Sequence, residues 1–391
     1  MGDFVNKGRT QFRGKKDPNY VDKTGLIGYI NSSLGTEGRF ICVARPLRFG
    51  KTMAVEMLRA YYDKSLSTRE LFQDLEIARI SPELPNLNKY LVLSFSVSKF
   101  LALANIPKNP DNAEKVVDSI QTALLEDLHK EFPQLPIPAN GDILKLLSDI
   151  TQETGEQFIM IIDEWDCILR EIQDAKVQQC YISFLRSFFK SEDTKIVFAG
   201  IYMTGILPIV KINNDSALND FWEYTVLNPM GLEKYFGFTR EEVLDLCEKN
   251  EVDFDSMKKW YDGYVIGNER TMFNPNSVIS AIDNGSFGSY WISNRSFESI
   301  RDYISMDFDG LKDAVLGMLS GERAFVDVSL FKNNLADIES KNDILTALIL
   351  LGYLSYDPDV SEAFVPNHEV SMELANAVKR SGHPSCRYQL R

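Results

Sequence analysis

Hydrophobic and polar positions give the chain two textures. Through the first 230 residues, apolar runs of strand length alternate with amphipathic stretches of helix length, the pattern of a parallel sheet covered by helices. The first predicted strand is Phe40 to Ala44, followed by a turn and a helix through Met53 to Tyr62. A second strand, Leu91 to Val97, reads as buried and ends in small polar residues. Helices are expected near 112–131 and 141–153, on either side of a proline-rich stretch. A strand at Phe158 to Ile162, a helix near 174–190, a strand at Lys195 to Tyr202 and a weaker one at Glu223 to Leu227 complete this half. From about residue 233 helical segments with loops take over, and no further strand-helix alternation is evident. Thr239 reads there as a helix N-cap followed by Glu241 and Glu242, acids that complement the helix dipole. The last part mixes a helix at Ile344 to Leu351 with extended pieces at Leu354 to Tyr356 and Ala363 to Val365, a winged-helix-like pattern. The expected organisation is a flexible arm over 1–18, an α/β body over 19–232, a helical lid over 233–319, a small α+β unit over 320–380 and a tail over 381–391.

Charge narrows the classes of partner. The 42 basic and 56 acidic residues give a net charge of −14, which argues against a surface that coats nucleic acid or anionic membrane non-specifically. Lys7, Arg9, Arg13, Lys15 and Lys16 make the first residues basic, and no apolar run follows to form a secretory signal. That stretch reads as a solvated arm, with a nucleic-acid contact as the alternative. No window reaches the ~18 uninterrupted apolar residues that span a bilayer, so a soluble, cytoplasmic protein is expected. Five dispersed cysteines without CxxC spacing, and three histidines that do not cluster, indicate neither a disulfide framework nor a zinc site.

The chemistry lies at the ends of two predicted strands. Phe40 to Ala44 runs into Arg45-Pro46-Leu47-Arg48-Phe49-Gly50-Lys51-Thr52 and then a helix, the context a phosphate loop requires. A triphosphate needs converging backbone N–H groups at a helix N-terminus, a lysine for the β and γ phosphates, and a hydroxyl on magnesium. Gly50, Lys51 and Thr52 supply these. The first glycine of GxxxxGK[ST] is replaced by Arg45, and the loop's two arginines can either bind phosphate bidentately or pair with acids. Phe158 to Ile162 ends directly in Asp163-Glu164-Trp165-Asp166. In a parallel sheet that end faces the ligand crevice. Asp163 is the candidate magnesium residue opposite Thr52, and Glu164 the residue that orients and deprotonates the attacking water. Asp166 either supports this site from behind or is an acid at a helix start. Leu91 to Val97, lying between the two motif strands, matches the extra strand that separates them in additional-strand ATPases. Thr204, after the strand that follows, is either a sensor of the γ-phosphate or a hydroxyl satisfying the loop backbone before Gly205.

With these residues in view, the chain resembles the bacterial AAA-ATPase-like family often fused to a C-terminal PD-(D/E)XK nuclease-like domain. Tyr20-Val21-Asp22-Lys23-Thr24, the RPLRFGKT loop, IIDEWD at 161–166, TGIL at 204–207, YFGFTREEV at 235–243, KWYDGY at 259–264, FNPNSV at 273–278 and YW at 290–291 carry the resemblance. It implies an α/β P-loop NTPase of the AAA/STAND type with a helical lid, Tyr20 and Val21 near the adenine, and an arginine-bearing loop as the family's usual variant. Leu47, Trp165 and Asn276 depart from the family's arginine, tyrosine and tryptophan, and none removes an ATPase element. Only 21 residues follow Val370, too few for the nuclease-like domain, so nuclease activity is not carried over.

The resulting expectation is an ATP-binding, magnesium-dependent ATPase acting as a slow molecular switch on a macromolecular partner, protein or nucleic acid, with oligomerisation left open. The expected nucleotide residues are Tyr20, Val21, Arg45, Pro46, Arg48, Phe49, Gly50, Lys51 and Thr52. The metal residues are Thr52 and Asp163, and the catalytic ones Glu164, Lys51 and Thr204, with Arg48 as a further stabiliser of the γ-phosphate. The alternatives are a nucleotide-binding interaction module with little turnover, and the ATPase part of a nucleic-acid-processing or defence system.

Overall fold

The computed structural model describes residues 3–103, 115–290 and 301–380, apart from 173, 190, 210, 213, 214, 217, 302, 305, 306, 336 and 337. The tail over 381–391 and Trp291 lie outside the described residues. The chain forms two compact units, one of residues 1–44 and 51–224, the other of residues 45–50 and 225–391. The division at Tyr224 lies earlier than the boundary expected near 232, and it assigns Arg45–Gly50 to the second unit.

The first unit is built on a parallel sheet of β1 (Phe40–Ala44), β2 (Leu91–Ser96), β3 (Phe158–Asp163), β4 (Phe198–Gly205) and β7 (Trp222–Tyr224), in the order β2-β3-β4-β1-β7. Strands β1, β3 and β4 are buried along their whole length, which is why they read as continuous apolar runs. A short antiparallel pair, β5 (Lys211–Ile212) and β6 (Asp215–Ser216), precedes β7. Helices Lys115–Glu131, Ile143–Thr154 and Ala175–Phe189 turn apolar stripes, including Ile120, Leu147 and Leu185, into the same core as the sheet.

Two expectations are corrected here. The strand inserted between β1 and β3 is β4, and Leu91–Ser96 is the outer neighbour of β3 instead. Adjacency in sequence suggested the wrong strand, because a crossover can place the later one between two earlier ones. The run Lys195 to Tyr202 divides into a helical turn, Thr194–Val197, and a strand that starts at Phe198. The N–H groups of Ile196 and Val197 return to the carbonyl of Asp193, and Thr194 Oγ1 donates to Phe188, so local bonds override the β-branched pattern.

The basic N-terminal segment is anchored where a solvated arm was expected. Buried Asp127 accepts the N–H groups of Asp3, Phe4 and Val5 at 2.8, 2.9 and 3.0 Å. Val5 pairs antiparallel with Leu93, and Asn6 N–H reaches the Val92 carbonyl, so these residues cover the exposed edge of β2. Phe12 is buried and stacks on Phe72 at 5.1 Å.

In the second unit, β8 (Phe238–Thr239), β9 (Tyr264–Ile266) and β10 (Glu269–Phe273) form an antiparallel sheet in the order β8-β10-β9 among helices Arg240–Lys249, Phe254–Tyr261 and Pro275–Asn284. The expectation for this lid was helical segments with loops. The two-residue turn Gly267-Asn268 between β9 and β10, with Gly267 at φ 60°, is a hairpin signal in the sequence. Thr239 caps its helix in a capping box with Glu242, as its position predicts. Helix Leu311–Leu319, β11 (Ala324–Phe325), helix Lys341–Leu351, the hairpin β12 (Ser355–Asp357) and β13 (Glu362–Phe364), and helix His368–Arg380 follow. Tyr264 Oη donates to the Gly352 carbonyl, and Val265 N–H to Ser355 Oγ, joining the lid hairpin to this last part. Among the described residues no helix is long and apolar enough to cross a membrane.

Candidate nucleotide site

Lys51 opens the helix Lys51–Tyr62 where β1 and the following turn deliver the chain, so its first backbone N–H groups have no partner inside the helix. Gly50 stands immediately before it at φ 85°, a conformation that strains any residue with a Cβ. The Lys51 side chain is buried, which lowers its pKa to about 8 against the opposing charges of Asp166 and Asp163. One turn of backbone thus presents N–H donors and a desolvated ammonium together, the components of an anion site.

The next residue reaches the second motif. Thr52 Oγ1 donates to Asp163 Oδ2 at 3.0 Å, while Asp163 Oδ1 is buried with no hydrogen-bond partner. Burial, reinforced by the charge of Glu164, pushes the Asp163 carboxyl up to about 6. A buried carboxylate oxygen without a donor is costly unless a cation completes it. One carboxylate and one hydroxyl suit magnesium, which keeps several waters and takes phosphate oxygens as its other ligands. Among the described residues no cluster of three His, Cys, Asp or Glu side chains forms a protein-only metal cage.

Glu164 is half-buried and follows the last residue of β3 at φ 52°, a left-handed conformation uncommon for a residue with a side chain. The chain turns sharply there, and Trp165 N–H bonds the Thr204 carbonyl while Tyr181 Oη bonds the Trp165 carbonyl at 2.7 Å. Strain at a site held on both sides is a recurrent property of functional turns.

Asp166 stands at the N-cap position of the short helix Cys167–Glu171, but its side chain makes no capping bond. It is fully buried, and its Oδ2 accepts from Ile206 N–H at 3.0 Å, Leu207 N–H at 2.8 Å and Arg170 Nε at 2.8 Å. It therefore ties the turn after β3 to the turn after β4 and supplies the largest charge acting on Lys51. A Cβ on Gly205 would stand 2.6 Å from Asp166 Oδ1 and 2.8 Å from the Trp165 ring, so the glycine is sterically required. Arg170 was not singled out from the sequence, although its spacing four residues after Asp166 on a helix is a readable signal.

Thr204 lies opposite both Val43 and Asp163 in the sheet register, and its hydroxyl donates to the Val43 carbonyl at 3.1 Å. Its single proton is thus engaged with backbone. Tyr20 packs edge-on to Phe12 at 5.7 Å, and its buried hydroxyl has no partner, with burial raising its pKa. Val21 beside it is half-buried. Asp22 and Thr24 of the same string have a structural task, accepting the N–H groups of Glu76 and Ile77 at the start of helix Glu76–Ile80.

The remaining loop residues belong to the second unit. Arg45 is fully buried with its guanidinium 5.3 Å from the Phe236 ring centroid, and Pro46 lines a cavity with Tyr264 and Leu354. Arg48, at φ 66°, donates to the Tyr290 carbonyl. Phe49 is buried edge-on against Tyr264 at 5.0 Å, and its carbonyl accepts from Gly237 N–H.

A family model described as a predicted AAA-ATPase, that of the AAA-ATPase-like family, matches residues 10–213, more than half of the chain. No curated protein matches. Among solved structures, the chain is similar to the ORC2 protein of Aeropyrum pernix in ADPNP-ADP complexes, with 13% identity, 95% of this chain and 98% of that chain covered, and a TM-score of 0.42. It is similar also to Cdc6p of Pyrobaculum aerophilum, with 11% identity, 96% of each chain covered and a TM-score of 0.32. The A. pernix ORC1 protein in complex with DNA has 11% identity, 93% and 94% coverage, and a TM-score of 0.27.

Proposed function

The chain belongs to the AAA-ATPase-like family, an α/β P-loop fold, and from that premise we propose that it binds ATP with magnesium and hydrolyses it slowly to ADP and phosphate as a molecular switch. The observation that carries this reading is the bond from Thr52 Oγ1 to Asp163 Oδ2, beside a buried Asp163 Oδ1 that has no donor.

The residues divide the work by position. Lys51 and the N–H groups at the start of its helix hold the β and γ phosphates. Thr52 and Asp163 hold magnesium, which when bound neutralises charge that develops on the phosphate oxygens. Glu164 orients a water for in-line attack on the γ-phosphorus and takes its proton as the bond to the bridging oxygen breaks. Asp166 keeps the turns after β3 and β4 in register, so that Glu164 and Lys51 face the same phosphate. Tyr20, with its unpartnered buried hydroxyl, is the residue for the adenine side.

Thr204 supports a second reading. Because its proton is engaged by Val43, the γ-phosphate has no free donor from this residue, which favours a nucleotide-binding module with little turnover. Single-turnover assays with magnesium and ATP separate the two. Cleavage abolished by Glu164→Gln supports the ATPase, and tight binding without cleavage supports the module.

A further inference from the structure

Within the first unit, the N-terminal end of the parallel sheet carries a cavity that the phosphate chemistry does not use. It measures about 750 Å³ and lies where β1 and β7 begin, whereas Lys51 and Asp163 stand beyond the last residues of β1 and at the end of β3. Its floor is aromatic. Phe40 and Phe189 line it, and both pack on buried Phe221 with ring centroids 5.6 and 4.9 Å apart. Trp222 lines it as well and is 54% exposed, a large apolar ring left in water on the outermost strand of the sheet. Tryptophan is among the side chains that most often anchor a protein interface. The charges around the cavity are unevenly engaged. The Arg39 guanidinium donates to the carbonyls of Gly35, Thr36, Lys195 and Phe198, and Lys195 Nζ pairs with Glu37 Oε2 at 2.6 Å. Glu192 and Asp220 are exposed and have no hydrogen-bond or ion-pair partner among the described residues. The two cations lining the cavity are thus held by the fold, and two carboxylates beside an exposed indole are left to face whatever enters.

We propose that this cavity is a docking site for a protein partner that inserts a lysine or arginine side chain. The aliphatic stem packs on Trp222 and Phe189, and the charged head meets Glu192 and Asp220. Long cationic side chains bury their stems on apolar surface while the head stays with polar groups, and a cation beside an indole gains further from the ring's negative face. The exposed rim favours a side chain presented on another protein's surface over a free small molecule, because ligand pockets enclose most of what they bind. The proposal goes beyond the ATP-binding reading and does not depend on it.

The test uses the full chain without nucleotide and a fluorescein-labelled Gly/Ser peptide carrying two arginines, with the same peptide carrying two glutamines as control. Fluorescence anisotropy should show saturable binding of the arginine peptide and none of the control. Trp222→Ala should weaken that binding by about tenfold or more. Glu192→Gln combined with Asp220→Asn should weaken it by about as much and flatten its dependence on salt. The carboxylate variant changes only exposed side chains and carries the test if Trp222→Ala does not fold. Equal affinity for the glutamine peptide, affinity unchanged in both variants, or no saturable binding by the wild-type chain would overturn the proposal. Displacement of the peptide by an equal concentration of free arginine would overturn it too, marking a small-molecule site. ATP affinity, measured separately on the same variants, should be unchanged, and a wild-type chain that binds the peptide but no ATP would sink the nucleotide reading alone.

Discussion

The hydroxyl of Thr52, second residue of its helix, donates to Oδ2 of Asp163, last residue of β3, at 3.0 Å across 111 residues of sequence. Two strings that are meaningful only together are therefore within one hydrogen bond of each other. The partner oxygen, Asp163 Oδ1, is buried and has no donor, an expense to the fold that the proposed cation would offset.

That expense is measurable. The folded Asp163 carboxyl titrates near 6, above its ordinary 3.8, so the folded state holds the proton more tightly than the unfolded chain. Stability attributable to this group is present below pH 3.8 and is lost as pH rises through 6. Asp163→Asn should accordingly stabilise the protein by roughly 1–3 kcal/mol at pH 7.5, and by much less at pH 4, in urea unfolding without magnesium. The same variant should lose magnesium-dependent ATP binding.

Lys51 follows the same logic with the opposite charge. Burial lowers its pKa to about 8 from 10.5, so the unfolded chain holds this proton more tightly and the group's cost to the fold is relieved as pH rises from 8 to 10.5. Lys51→Met should leave the fold as stable or more stable at pH 7. It should weaken ATP by about a hundredfold or more in equilibrium binding, because a buried charge-assisted contact to phosphate is removed.

Asp166 and Arg170 form a buried ion pair whose rupture should be severe. Asp166→Ala removes one partner and also strands the N–H groups of Ile206 and Leu207, predicting a loss of about 3–5 kcal/mol in urea unfolding. Asp166→Asn keeps an acceptor in place and should retain the fold with a lower kcat, which distinguishes electrostatic support of the site from mere packing. Gly205→Ala should cost about 1–3 kcal/mol, because the added methyl meets Asp166 and Trp165 inside 3 Å.

Asp127 anchors the N-terminal residues from 122 or more residues away. Asp127→Ala leaves three N–H groups without their acceptor and predicts a loss of roughly 1–3 kcal/mol. Rapid hydrogen exchange at Val5 and Asn6 in the variant, against slow exchange in the parent chain, would report the released edge of β2.

The sequence made the strand-turn-helix frame legible because each central strand is buried on both faces and therefore carries an unbroken apolar run, as in Phe158–Ile162. The acids at the end of that run stood out because charge there needs a use. Adjacency within the sheet was illegible, since nothing local in Leu91–Ser96 or Phe198–Gly205 says which one crosses to lie between β1 and β3. The anchoring of the N-terminus was hidden for a related reason. Its lysines and arginines are local and visible, whereas the Asp127 acceptor and the β2 edge are distant in sequence. Asp166 remained ambiguous because the Ile206 and Leu207 amides that it binds lie 40 and 41 residues away, in the turn after β4. The hairpin around Gly267-Asn268 was readable and was overlooked beneath the surrounding helical pattern.

The central claim is that Lys51, Thr52, Asp163 and Glu164 form a magnesium-ATP site that turns over. Its most direct test is a single-turnover measurement of γ-phosphate release by the wild-type chain and by Glu164→Gln, with ATP affinity determined on both. The account predicts magnesium-dependent release by the wild type and release at least about a hundredfold slower in the variant, with ATP affinity preserved. Phosphate release at equal rates by the two proteins, or no ATP binding by either, would contradict it.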